Sequence, residues 1–99
     1  MKSKNGCDGT ARGILKQGIK EMKGRAVLYD ASQGERSMGK TVAMFNTLTE
    51  HNLTEEEGWK FMAVLKMVRA SQGAPKLDNY VDGAAYMALA GESMGLNDV

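Results

Sequence analysis

Leu65-Lys66-Met67-Val68-Arg69, a Gly73-Ala74-Pro75 turn, and then Asp78-Asn79-Tyr80-Val81-Asp82-Gly83-Ala84-Ala85-Tyr86 decide how this chain folds. Two basic side chains sit in an otherwise apolar helical run, and an acidic stripe follows on the next helix. Gly73 and Pro75 stop the first helix, because proline removes a donor and glycine frees the backbone. A turn of a few residues makes the two helices antiparallel neighbours. Lys66 and Arg69, three apart, share a face. Asp78, Asp82 and Tyr86 stand at i, i+4 and i+8, so Asp82 is expected to come within ion-pairing reach of Arg69. Charges embedded among apolar residues are costly unless paired or functional. The constellation therefore either closes a structural bridge or holds a charged ligand.

The same periodicity extends on both sides. The last helix is expected over about Leu77–Ser93, its alanines allowing close approach to a neighbour. The helix before the turn is opened by Thr54-Glu55-Glu56-Glu57, a capping box with three carboxylates at the positive helix end. It runs through Trp59, Met62, Leu65 and Val68 to Ser71, and apolar residues around most of the girth of 61–70 make it central. His51-Asn52 is a polar connection, with His51 read as a surface residue and Trp59 as core or subunit interface. A short helix is expected over Lys40–Thr49. Leu15, Ile19, Met22, Ala26 and Tyr29 recur at steps of three and four from Ala11 to Gln33, an amphipathic stripe. Gly18 and Gly24 weaken that helix, with a break expected near Gly24, and Gly34 is a candidate C-terminal cap. The fold class is all-α, four helices. Residues 1–10 are expected to be a disordered polar terminus and 11–99 a single domain.

Ninety-nine residues bury a modest core, and chains of this size commonly gain stability by oligomerising. The absence of a long apolar run or a signal-like start indicates a soluble, non-secreted, cytoplasmic protein with no membrane partner. A lone Cys7 argues against a disulfide framework or a cysteine metal site. Eight methionines suit an adaptable helical core. Lys2, Lys4, Arg12, Lys16, Lys20, Lys23 and Arg25 make the first quarter basic, but a solvated helix face explains them, and nucleic-acid binding is not inferred.

Gly34-Glu35-Arg36-Ser37-Met38-Gly39-Lys40-Thr41 fits the phosphate-loop pattern G-x-x-x-x-G-K-[ST]. That motif works between a buried strand and a helix, where glycine amides cradle phosphates. Here the preceding Tyr29-Asp30-Ala31-Ser32-Gln33 suits a helix end, and no apolar strand ending in Asp follows. A true phosphate loop is rejected. Ser37 has no base partner, so nucleophilic catalysis is unsupported.

The charged constellation has a chemical reading beside the structural one. Phosphoryl groups favour Arg and Lys donors, Arg through its planar fork. Carboxylates one helical turn apart suit Mg²⁺, which bridges phosphate oxygens. Lys66 and Arg69 are candidates for phosphate, Asp78, Asp82 and Glu35 for Mg²⁺, Arg36 for a further contact, and Tyr86 for stacking on a base. Asp78 has a competing role as N-cap of the last helix.

Residues 26–92 resemble a family of small bacteriophage proteins related to the MazG-type all-α nucleotide pyrophosphohydrolases, and are also similar to phage MazG-like nucleotide kinases. The parallels are Ala26–Gln33, Arg36-Ser37-Met38-Gly39-Lys40, Met44-Phe45, Lys66 to Arg69 and Asp78 to Tyr86. Met38 and Lys40 stand where Tyr and Asp are usual. Lys66-Met67-Val68-Arg69 occupies a central helix that carries Glu-x-x-Glu in MazG enzymes. The resemblance implies a MazG-like helical oligomer, a homodimer or homotetramer, acting in the infected host cell on a nucleoside mono- or triphosphate. Lys66, Arg69 and Asp82 are then the catalytic candidates for phosphoryl transfer or pyrophosphohydrolysis. The alternative is a non-enzymatic helical oligomer that sequesters a nucleotide or binds a host protein.

Overall fold

A computed structural model describes residues 8–29 and 37–96. Four helices account for nearly all of them: α1 (Ala11–Tyr29), α2 (Ser37–Thr49), α3 (Glu55–Ala70) and α4 (Leu77–Ser93). Among the described residues there is no strand. Among the described residues the helices form an open row, α1 against α4, α4 against α3 and α3 against α2.

Each start has a local cause. Thr10 opens α1: its hydroxyl accepts the Gly13 amide at 3.0 Å and donates to Asp8 Oδ1. That hydrogen bond, with a second from the Thr10 amide, holds the Asp8 carboxyl below its ordinary range. The expected capping box opens α3, Thr54 Oγ1 accepting from the Glu57 amide and Glu57 Oε1 from the Thr54 amide. Asn46 fastens the α2–α3 connection, its carboxamide donating to the Leu53 carbonyl at 2.9 Å and accepting the Leu53 amide at 2.8 Å. Glu50 turns the chain out of α2 with φ of 57°.

Two boundaries and one buried face differ from the sequence reading. Helix α1 runs unbroken through Gly24 to Tyr29, while the expected cap Gly34 and the terminus 1–7 lie outside the described residues. Gly18 is buried against α4, where a β-carbon would lie in ordinary contact 3.7 Å from the Val81 carbonyl. Leu15 and Ile19, assigned to the buried stripe, are exposed instead. Helix α2 begins a turn earlier than expected, at Ser37, because Met38 is buried against α3.

The core is small. Met38 and Val42 of α2, Trp59 of α3, and Leu89 and Ala90 of α4 form one cluster, with Met22, Leu53, Met62 and Tyr86 packed on it. Trp59, only 4% exposed, stacks on Tyr86 with ring centroids 5.8 Å apart. His51 is exposed, as expected, and stacks on Phe45. Helix α3 is central in the row, yet its apolar girth is not enclosed. Phe61 is 70% exposed, and Val64, Met67 and Val68 also face outward. Helix α2 meets α3 around Gly58, near the N-terminal end of α3, and among the described residues the later turns are left exposed at Phe61, Val64, Met67 and Val68.

Candidate functional site

The α3–α4 hairpin brings the charged residues together. Lys66 Nζ lies 3.0 Å from Asp82 Oδ2, with the two side chains 14% and 29% exposed. The bridge forms with Lys66, not Arg69, as Asp82's partner. At this level α3 and α4 are in ordinary packing contact: a β-carbon on Gly83, next to Asp82, would lie 3.6 Å from Lys66 Cβ. Arg69, one turn nearer the hairpin end, is exposed and makes no ion pair among the described residues.

The bridge is not sealed in a dry interior. It borders a cleft of about 410 Å³ at the hairpin end, lined by Lys66 and Arg69 of α3, Lys76 before α4, and Asp78, Asn79 and Asp82 of α4. Gln72 and Ala74 of the turn complete the wall. That volume falls within the roughly 300–1,000 Å³ of small-molecule sites.

Asp78 is not the N-cap. Lys76 holds that position with extended backbone and no side-chain capping bond, and Asp78 falls in the first turn of α4. Its carboxylate is therefore exposed at the cleft and adds a negative charge at the positive end of α4. Lys76, Gln72 and Asn79 were not singled out from sequence. The signal for Lys76 was its place directly after Pro75, at the mouth of the hairpin.

Tyr86 is placed elsewhere. It is half-buried, stacked on Trp59, and lines neither this cleft nor the groove beside it. The reason is helical drift: at about 100° per residue, i to i+8 rotates a side chain by roughly 80° and carries it roughly 12 Å along the axis. The i, i+4, i+8 series thus begins at the cleft and ends in the core. Glu35 and Arg36 lie outside the described residues.

Magnesium finds no protein cage among the described residues. No three His, Cys, Asp or Glu side chains gather around one point. Asp78 and Asp82 are the described carboxylates of the cleft, and Asp82 already faces the Lys66 ammonium. Among the described residues the phosphate-loop pattern has no strand beside it: α1 is the element before it and its Ser37–Thr41 part is helical, while 30–36 lie outside the described residues. No described helix is long and apolar enough to cross a membrane.

An all-α hairpin carrying a mixed-charge cleft is the class of protein that fold and site define. The sequence places it more closely: residues 21–94 match the family described as a domain of unknown function, DUF6378, and the chain belongs to that family. No curated protein and no solved structure matches it.

Proposed function

We propose that the α3–α4 cleft binds a nucleoside phosphate and that the protein acts on it in nucleotide metabolism, by phosphoryl transfer or pyrophosphohydrolysis. The observation that carries this reading is the convergence of Lys66, Arg69 and Lys76 on one open cleft. Three cations against the two carboxylates of that cleft leave it net positive, which suits phosphate oxygens. Resemblance of the Lys-x-x-Arg and Asp-x-x-x-Asp helices to small bacteriophage relatives of the MazG enzymes, and to phage MazG-like nucleotide kinases, supports the nucleotide class.

In this reading Lys66 and Arg69 hold phosphate oxygens, and Asp82 keeps the Lys66 ammonium aimed into the cleft. Asp78 has no ion pair among the described residues, so it is the carboxylate left to orient an attacking water or hydroxyl. The attacking oxygen bonds to phosphorus as the bond to the leaving phosphate breaks, and its proton passes to Asp78. Catalysis is positioning and charge stabilisation. With two described carboxylates and no third ligand, no step is assigned to a protein-held Mg²⁺.

Incubation with nucleoside mono- and triphosphates, with and without Mg²⁺, read by chromatography, tests the reading. Turnover is expected in the native chain and is abolished by Lys66→Met and by Asp82→Asn with helicity retained. Full activity in both variants rules out this site.

A second reading has its own observation. The exposed Phe61, Val64 and Val68 share one face of α3, and Met44, Phe45 and Leu48 are exposed on α2, apolar surface that association between copies would cover. That favours a homodimer or homotetramer, and a non-enzymatic oligomer that sequesters a nucleotide or binds a host protein. Unchanged nucleotide after incubation, together with a raised melting temperature, distinguishes sequestration from turnover.

A further inference from the structure

Beside the polar cleft, on the same α3–α4 surface, lies a smaller groove of about 270 Å³ whose walls include Met67, Tyr80, Gly83 and Met87. The two depressions are contiguous: Lys66 and Asn79 line both. One is charged, the other apolar apart from those two residues. Gly83 leaves its floor without a side chain, and Tyr80 stands at its edge with half of its surface exposed. Asn79 is half-buried at the shared wall, and its carboxamide makes no hydrogen bond among the described residues. A carboxamide can both donate to and accept from the edge of a heterocycle.

We infer that this groove is the ring subsite of the same ligand, taking the planar base of a nucleoside phosphate against Tyr80 and Met67 while its phosphate lies on Lys66 in the adjoining cleft. The inference rests on the phosphate reading of that cleft and goes beyond it, because it assigns the base to Tyr80 and Asn79. Tyr86, stacked on Trp59, is not available for that role. The occupant follows from the surface itself. A phosphate alone gains nothing from the apolar half, and an apolar peptide gains nothing from the cations. A molecule carrying a flat ring next to a phosphate uses both, and an aromatic or thioether wall suits any base face.

Calorimetric titration of the full chain with the four common ribonucleoside monophosphates and with ribose 5-phosphate tests it. At least one nucleotide is expected to bind about 10-fold more tightly than ribose 5-phosphate, the scale of one base stacked on an aromatic side chain. Tyr80→Ala, at an exposed position, is expected to remove that advantage and leave ribose 5-phosphate binding unchanged. Equal affinities in the native chain overturn the ring subsite while the phosphate cleft stands. An advantage that survives Tyr80→Ala, or a loss shared equally by ribose 5-phosphate, also overturns it. So does a Tyr80→Ala chain that retains the advantage but changes mass in sedimentation, because the groove is then a contact between copies. Binding of neither probe removes the phosphate reading and the subsite together.

Discussion

Lys66 Nζ and Asp82 Oδ2, 3.0 Å apart, tie the C-terminal part of α3 to α4 at the edge of the charged cleft. The two ends of this bridge are unequally wet: the Lys66 side chain is half as exposed as that of Asp82. Asp82→Asn strands the drier ammonium and is expected to cost about 1–3 kcal/mol, below the roughly 3–5 of a fully buried pair because solvent screens it. Lys66→Met replaces the ammonium with an apolar chain and leaves a carboxylate closer to water, costing about 1 kcal/mol or less. The double variant should be less destabilised than the sum of the two. Urea midpoints of the four proteins measure the cycle, and strict additivity would show that the bridge contributes nothing.

Arg69 separates ligand binding from stability. It is exposed and has no ion pair among the described residues, so Arg69→Gln should change unfolding free energy by no more than about 0.5 kcal/mol. Loss of one charge-assisted hydrogen bond should weaken a bound nucleoside triphosphate about 10-fold or more. Calorimetry beside a denaturation curve reads both, and undiminished affinity would remove Arg69 from the site.

Gly58 sets the distance between α2 and α3. A β-carbon there would stand 2.5 Å from Met38 Sδ and 2.7 Å from Val42 Cγ1, so Gly58→Ala should destabilise by about 1–3 kcal/mol despite alanine's better helix propensity. Gly91 of α4 is the contrast. Nothing lies within 4 Å of its added methyl, and Gly91→Ala should stabilise by up to about 1 kcal/mol. Thermal melts that move both variants in the same direction would contradict this packing.

Asn46 makes two hydrogen bonds to the Leu53 backbone across the α2–α3 connection. Asn46→Ala leaves a part-buried amide and carbonyl without their partner and should cost about 1–3 kcal/mol. Asn46→Asp keeps the acceptor for the Leu53 amide, loses the donor to the Leu53 carbonyl, and should fall between. Hydrogen exchange at the Leu53 amide gives the residue-level check: protection should vanish with Ala and persist in part with Asp.

Much of the site was legible because it is local. Lys66, Arg69, Asp78 and Asp82 sit within one hairpin, and a short turn fixes which helix faces meet. Tyr86 was misplaced by the same rule, since a helical stripe read over eight residues rotates away from where it began. The Asp82 partner depended on how the two helices slide against each other, a register that no spacing within either helix encodes.

The sequence by itself determined the four helices, the Thr54–Glu57 cap and the antiparallel α3–α4 pair, because hydrogen bonds within a turn and apolar periodicity are properties of neighbours along the chain. Tertiary structure decided the rest. Gly18, a weak point when read as a helix residue, faces α4, and Gly58, unremarked in the sequence, is the close contact through which α2 meets α3. The apolar girth of α3 stayed partly uncovered because an open row gives each inner helix only two neighbours, and which residues those neighbours cover depends on crossing geometry. Crossing geometry depends on side chains far apart in sequence, and so appears only when the helices are packed.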